Sequence, residues 1–142
     1  MITTVLAFLL TLGVLIVIHE WGHYQVARWC GVKVLRFSVG FGRIVASRRF
    51  GRDGTEWALS AIPLGGYVKM AGENPGQPRS GAPDEFASQS IAERMLIVSA
   101  GVIMNALTAF VFYAVAIQLG IEKDAPVVGV VEPGGPAWVA GV

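Results

Sequence analysis

The sequence predicts a membrane protein, mainly α-helical, with two transmembrane helices joined by a loop of short β-hairpins. Three observations carry this. The chain is 54% hydrophobic and only 15% charged, a balance that favours a membrane protein over a soluble domain. Before Arg28 the one formally charged side chain is Glu20. A second uncharged stretch runs from Met95 to Ile121, between Arg94 and Glu122. At 142 residues the chain is at most one ordinary domain.

The first helix is expected over residues 1–30. A cleaved signal peptide is the alternative, but the segment has neither a basic n-region nor an evident small-residue cleavage site. The helix carries His19-Glu20-Trp21-Gly22-His23. On a helix, positions four apart lie about 40° apart and roughly 6 Å along the axis. His19 and His23 therefore share a face and can converge on one metal ion. Zinc accepts imidazole nitrogen at about 2.0–2.1 Å and keeps a position for water in catalytic sites. Glu20 neighbours that face, where a general base takes a proton from water. The plainer reading is two helix-end histidines facing headgroups with a snorkelling Glu. Ionisable groups inside a membrane are costly and usually functional, which favours the metal. His19 lies about 27 Å along the helix from Met1 and roughly 13 Å deeper than Arg28. The metal is expected within the membrane, nearer the basic side. Cys30, the single cysteine, would lie about 10 Å along the axis from His23, too far for a zinc bond. It reads as an inert interfacial thiol.

Residues 31–71 read as a β-rich, membrane-associated loop. Four short strands are expected: Val34 to Phe41, Ile44 to Phe50, Thr55 to Ile62, and Pro63 to Met70. Arg52-Asp53-Gly54 has the Asp-Gly mark of a tight turn. Two readings of this sheet stay open: it packs under the helices, or its edge pairs with a substrate backbone. Residues 72–94 read as linker and helix lead-in. Gly72 to Ser88 holds Pro75, Pro78 and Pro83 and is expected to be flexible. Ser90 and Glu93 have capping-box spacing.

The second helix, 95–121, would span about 40 Å, enough to cross a hydrocarbon core of ~30 Å with tilt. Gly101 and Asn105 fall four apart within it, beside Ala100, Ala106 and Ala109. Small residues allow close helix packing in lipid, and Asn105 needs a hydrogen-bond partner there. Packing and site-lining roles both remain open for Asn105. Residues 122–142 offer a strand candidate, Val127 to Val131, then a turn, Glu132-Pro133-Gly134-Gly135-Pro136.

Ten of the eleven Lys and Arg residues fall between Arg28 and Arg94. The positive-inside tendency puts residues 31–94 in the cytoplasm and those after 121 on the far side. Six acidic residues share that loop, so it forms no basic patch and nucleic acid is not an expected partner.

With these residues in hand, the chain resembles the site-2 protease family of intramembrane zinc metalloproteases, in the bacterial branch that includes the regulator of sigma-E protease. The markers are His19 to His23, Phe37-Ser38-Val39-Gly40-Phe41-Gly42, Pro63-Leu64-Gly65-Gly66-Tyr67-Val68-Lys69-Met70, and Ala100-Gly101 with Asn105. The resemblance implies that His19 and His23 bind Zn2+ and Glu20 activates water. It implies that the segment with Gly65, Gly66 and Tyr67 lies near substrate, and that Asn105 takes part in substrate handling. It implies a bacterial inner-membrane enzyme cutting transmembrane segments of signalling proteins. The tail from Val127 resembles the opening of a PDZ domain. Val102 stands where many relatives have Pro. The family's third zinc ligand is an Asp in an Asp-Gly pair on a later transmembrane helix. Asp53-Gly54, in a hydrophilic turn, does not match it. The chain is therefore expected to be the N-terminal part of a longer enzyme, inactive alone and a weak zinc binder, with Glu73, Asp84 and Glu85 off in the linker. Two rivals remain: a non-catalytic PDZ-bearing scaffold or pseudoprotease, and a transporter using His and Glu as a proton relay.

Overall fold

In the computed structural model, the residues described are 1–51, 53–74, 76, 80–120 and 131–141. The first unit comprises Met1–Val111. Helix α1 spans Ile2–Trp29. Its 28 residues reach about 42 Å, and its most apolar 18-residue stretch averages 2.4 in hydropathy. It stops because Gly31 takes φ +79. Gly31 N–H then donates to the Arg28 carbonyl (3.1 Å) and Val32 N–H to that of Ala27 (2.9 Å), a Schellman closure that suits glycine. Helix α2 spans Ile91–Leu119, and its most apolar 18-residue stretch averages 2.1 in hydropathy. It begins four residues before the expected span because Ser90 and Glu93 form the expected capping box. Glu93 N–H donates to Ser90 Oγ (3.3 Å), and Ser90 N–H to Glu93 Oε2 (2.9 Å). Both helices are long and apolar enough to cross a membrane by length and composition. Leu6, Phe8 and Leu10 on α1, and Val102 and Leu107 on α2, are exposed. Such a surface is an aggregation hazard in water and is matched by hydrocarbon.

Between the helices lies one two-stranded antiparallel sheet of β1 (Val34–Arg49) and β2 (Glu56–Met70). The four short strands expected from sequence are thus two long, bent ones. Gly40, Gly42 and Gly65 have φ of +88, +84 and +105, and the register shifts repeatedly between Val34 and Ala46. Bulges bend a strand and raise its twist without ending its pairing. The bends give residues near the start of β1 partners on both sides. Arg36 faces Lys69 and Glu56, and Glu56 also faces Arg49. Val39 faces Gly66 and Leu59, and Leu59 also faces Ala46.

The sheet packs on the second half of α1. Tyr24, Ala27, Val32, Val34, Phe37, Val68, Met70 and Ile97 form the core. Tyr24, Phe37 and Trp57 lock it through ring contacts of 4.8–5.7 Å, within the range of favourable aromatic pairs. Cys30 sits at the edge of this core.

The segment read as a flexible linker is held at several points where it is described. Glu85, 8% exposed, accepts hydrogen bonds from Ser80 N–H, Ser80 Oγ and Gly81 N–H at 2.7–3.2 Å. Lys33 N–H donates to the Asp84 carbonyl and Phe86 N–H to that of Ala71. A buried carboxylate must be satisfied, and satisfying it folds the Pro- and Gly-rich segment back on itself. Residues 75 and 77–79 of this segment, and Arg52 of the expected turn, lie outside the described residues.

The second unit, Phe112–Val142, takes in the end of α2 and a short helix α3, Pro136–Val139. The expected turn before α3 is present, closed by Gly135 N–H donating to the Glu132 carbonyl (3.0 Å). Of the strand expected from Val127 to Val131, residues 127–130 lie outside the described residues.

Candidate metal centre

One helical turn separates His19 from His23, and their rings meet edge to face at 4.8 Å. Their Nε2 atoms stand 3.1 Å apart. Two ligands on a tetrahedral ion at about 2.0–2.1 Å are separated by roughly 3.3 Å, so the pair fits a shared zinc ion. The far nitrogens are held by α2. His23 Nδ1 donates to the Ile97 carbonyl oxygen at 2.7 Å, which leaves Nε2 with its lone pair. His19 Nδ1 lies 3.3 Å from the amide of Asn105.

Glycines allow the close approach. A Cβ on Gly22 would stand 2.6 Å from the Ala100 carbonyl oxygen, and one on Gly101 would stand 2.5 Å from both histidine Nε2 atoms. Any side chain at 101 would press on both candidate donors. A Cβ on Gly66 would stand 3.0 Å from Glu20 Cγ and 2.9 Å from the Ser38 carbonyl oxygen.

Glu20 borders two cavities. One, of about 270 Å³, is shared with His23, Gly66, Tyr67 and Glu73. The other, of about 340 Å³, is lined by apolar α1 residues with His19, Phe41, Gly65, Gly66 and Asn105. A larger cavity, about 480 Å³, lies elsewhere, at the charged end of the sheet by Lys33, Arg36, Arg49 and Lys69. It contains none of the metal-motif residues, so size does not mark the chemistry.

All the expected site residues come together. His19, Glu20 and His23 share one stretch of α1, Gly66 lies against it, Gly65 borders the cavity of His19 and Glu20, and Asn105 reaches His19 from α2. Tyr67 borders the Glu20 cavity. Its ring stacks with Phe41 at 6.3 Å, and its hydroxyl accepts from Arg36 Nη1 at 3.3 Å. Sequence reasoning missed Ile97, which acts through a main-chain oxygen and leaves no side-chain signature. It also placed Glu73 away in the linker. The structure instead brings Glu73 to the Glu20 cavity, where its carboxylate accepts the Met70 N–H at 3.1 Å. Among the described residues, no group of three His, Cys, Asp or Glu side chains is arranged to hold a metal ion.

Two imidazoles poised for one ion and a carboxylate beside them, on a helix long enough to cross a membrane, define a metallopeptidase-type centre. The chain belongs to Peptidase family M50, which it matches over residues 7–132. This is the site-2 protease family that the motifs resemble. It is 51% identical to the "Putative zinc metalloprotease" of Ralstonia nicotianae, over 92% of this chain and 30% of that protein. It is 45% identical to the protease RseP of Yersinia pestis, over 89% of this chain and 28% of the relative. With the regulator of sigma-E protease RseP of Salmonella typhimurium the figures are 42%, 89% and 28%. The chain thus spans about 30% of the length of the curated relatives it matches.

Proposed function

We propose that the protein to which this chain belongs is an intramembrane zinc metalloendopeptidase of a bacterial inner membrane, acting on transmembrane segments of signalling proteins. The observation that carries this is the pair of Nε2 atoms at 3.1 Å with Glu20 beside them on α1. His19 and His23 hold the ion, and its third protein ligand is assigned to sequence outside these 142 residues. Zinc, when bound, supplies a Lewis acid for a carbonyl and a water molecule. Glu20 takes the proton from water and returns it to the leaving amide nitrogen.

A helical substrate hides its carbonyls in hydrogen bonds and must unwind before it can be cut. The segment at Gly65, Gly66 and Tyr67 is suited to receive it in extended form, because strand addition supplies main-chain partners and glycine keeps the approach open. Asn105 borders the same cavity. Residues 31–94 face the cytoplasm and those after 121 the opposite side, following the distribution of Lys and Arg. Residues 122–142 are assigned to the start of a PDZ-like module.

Glu20→Gln keeps the shape and removes the base. In the full-length protein it should lower cleavage of a transmembrane substrate by about 100- to 10,000-fold while zinc stays bound. Near-normal cleavage by the zinc-loaded variant would sink the assignment. The orientation has its own test. Ser80→Cys and Ala140→Cys, each in a Cys30→Ser background, should label from opposite faces of sealed vesicles; labelling from one face refutes it.

A further inference from the structure

Three residues at four-residue spacing on α2 serve the two histidines. The Ile97 carbonyl oxygen takes the hydrogen bond from His23 Nδ1. Gly101 leaves room for both Nε2 atoms. The Asn105 amide meets His19 Nδ1. His23 is therefore oriented by a main-chain group that no substitution removes, and His19 by a side chain that can be changed.

The Asn105 contact also decides which nitrogen of His19 carries the proton. With the amide NH2 toward Nδ1, as the contact stands, Nδ1 accepts and the proton sits on Nε2. That tautomer cannot bind a metal through Nε2. It also leaves Asn105 Oδ1 buried with no hydrogen-bond partner. A half-turn of the amide about χ2 brings Oδ1 to Nδ1 instead. Nδ1–H then donates to it, as His23 donates to Ile97, and both Nε2 atoms present lone pairs. The NH2 group then stands where the oxygen stood, so the unpartnered atom does not decide between the two settings; the His19 tautomer does.

We propose that Asn105 is a positioning residue for His19: its Oδ1 accepts the Nδ1–H and so fixes the ring and its metal-binding tautomer. This rests on the metallopeptidase reading. It differs from a substrate-handling role because it predicts an effect on zinc binding in the absence of substrate.

The test measures zinc affinity of the full-length protein in detergent, by competition with a chelating dye. Loss of an outer hydrogen bond to a ligating imidazole typically weakens metal affinity about 10- to 100-fold. Asn105→Leu should show a loss of that size. Asn105→Asp, which keeps an acceptor, should stay within roughly threefold of the parent. In a His19→Ala background, Asn105→Leu should weaken the residual affinity no further, because its effect runs through His19. Asn105→Ser, too short to reach the ring, repeats the test without added bulk. Parent-like affinity in both the Leu and Ser variants overturns the inference and leaves the metal assignment standing. An equal loss with and without His19 also overturns it, since that marks a general packing defect. If His19→Ala itself leaves zinc affinity unchanged, the metal reading fails and the inference with it.

Discussion

The two ends of the sheet are built from different materials. At the outer end, Lys69, Arg36, Glu56 and Arg49 lie in one row across the bent strands. Arg36 grips Glu56 through Nε and Nη2, both at 2.8 Å. At the inner end, the neighbouring residues are Val39, Phe41, Gly65 and Gly66, and the contacts are ring stacking and bare backbone. Gly66 lies against Ile16 and Glu20 of α1, whereas the core toward the outer end closes on Tyr24 and Ala27. The difference spans about 16 Å along the helix axis. Charge is cheap near headgroups and expensive in hydrocarbon. The sheet accordingly gathers Lys69, Arg36, Glu56 and Arg49 at one end, with Arg43 the charge nearest the other. At the other end, fit depends on what is left out, and glycine leaves out the most.

The contrast predicts where substitution hurts. The largest effect is expected at Gly66. A Cβ there meets Ser38 backbone and the Glu20 side chain, and a branched residue meets more. Gly66→Val should push Glu20 off its position. A displacement on the order of 1 Å can cost about 100-fold in rate, so cleavage by the full-length protein should fall by at least that, with zinc retained. Wild-type cleavage would show that the inner end does not set the position of Glu20. A smaller effect is expected at Gly65, where φ is +105 and a Cβ would run into the Phe41 ring. Left-handed strain costs about 1–3 kcal/mol. Gly65→Ala should lower thermal stability accordingly and cleavage less than Gly66→Val does. Adding Phe41→Ala should recover the steric part of the loss and not the backbone part. Full recovery would mean that backbone strain contributes nothing.

Much of this was legible in the sequence, for reasons that differ by residue. Spacing alone puts His19 and His23 on one face with Glu20 beside it, because helical geometry is rigid. Ser90 with Glu93 marked the start of α2 because capping is local. The pattern marks the strand segments but divides them into four, because glycines that read as breaks act here as bends through which pairing continues. Composition could not tell that residues 80–88 are tied down, since Glu85 does the tying and Pro, Gly and Ser read the same in either state. The place of Glu73 is hidden for a related reason. Gly72 takes φ +67, and Glu73 just after it borders the Glu20 cavity. Gly101 reads in the sequence as a packing residue. Its pressure point on both imidazoles depends on how two helices cross, which no local pattern encodes.

The smallest effect belongs to the outer end, and it should respond to acid. The hydrogen bond from Arg36, then that from Ser47, holds the Glu56 carboxyl below its ordinary range. A carboxylate with a lowered folded pKa stabilises the fold above its ordinary unfolded value. That contribution is lost as pH falls through the lower, folded value. The pair is partly exposed, so the loss is minor in water and should stay local. Amide exchange in the full-length protein between pH 6 and 3 should show protection falling at Arg36, Trp57 and Arg49 while Val39 and Gly66 keep theirs. Glu56→Gln should remove that pH dependence and leave zinc binding unchanged. If Gly66 loses protection together with Arg36, the two ends open as one unit. The charged row would then be holding the inner end in place, and the division of labour along the sheet would be wrong.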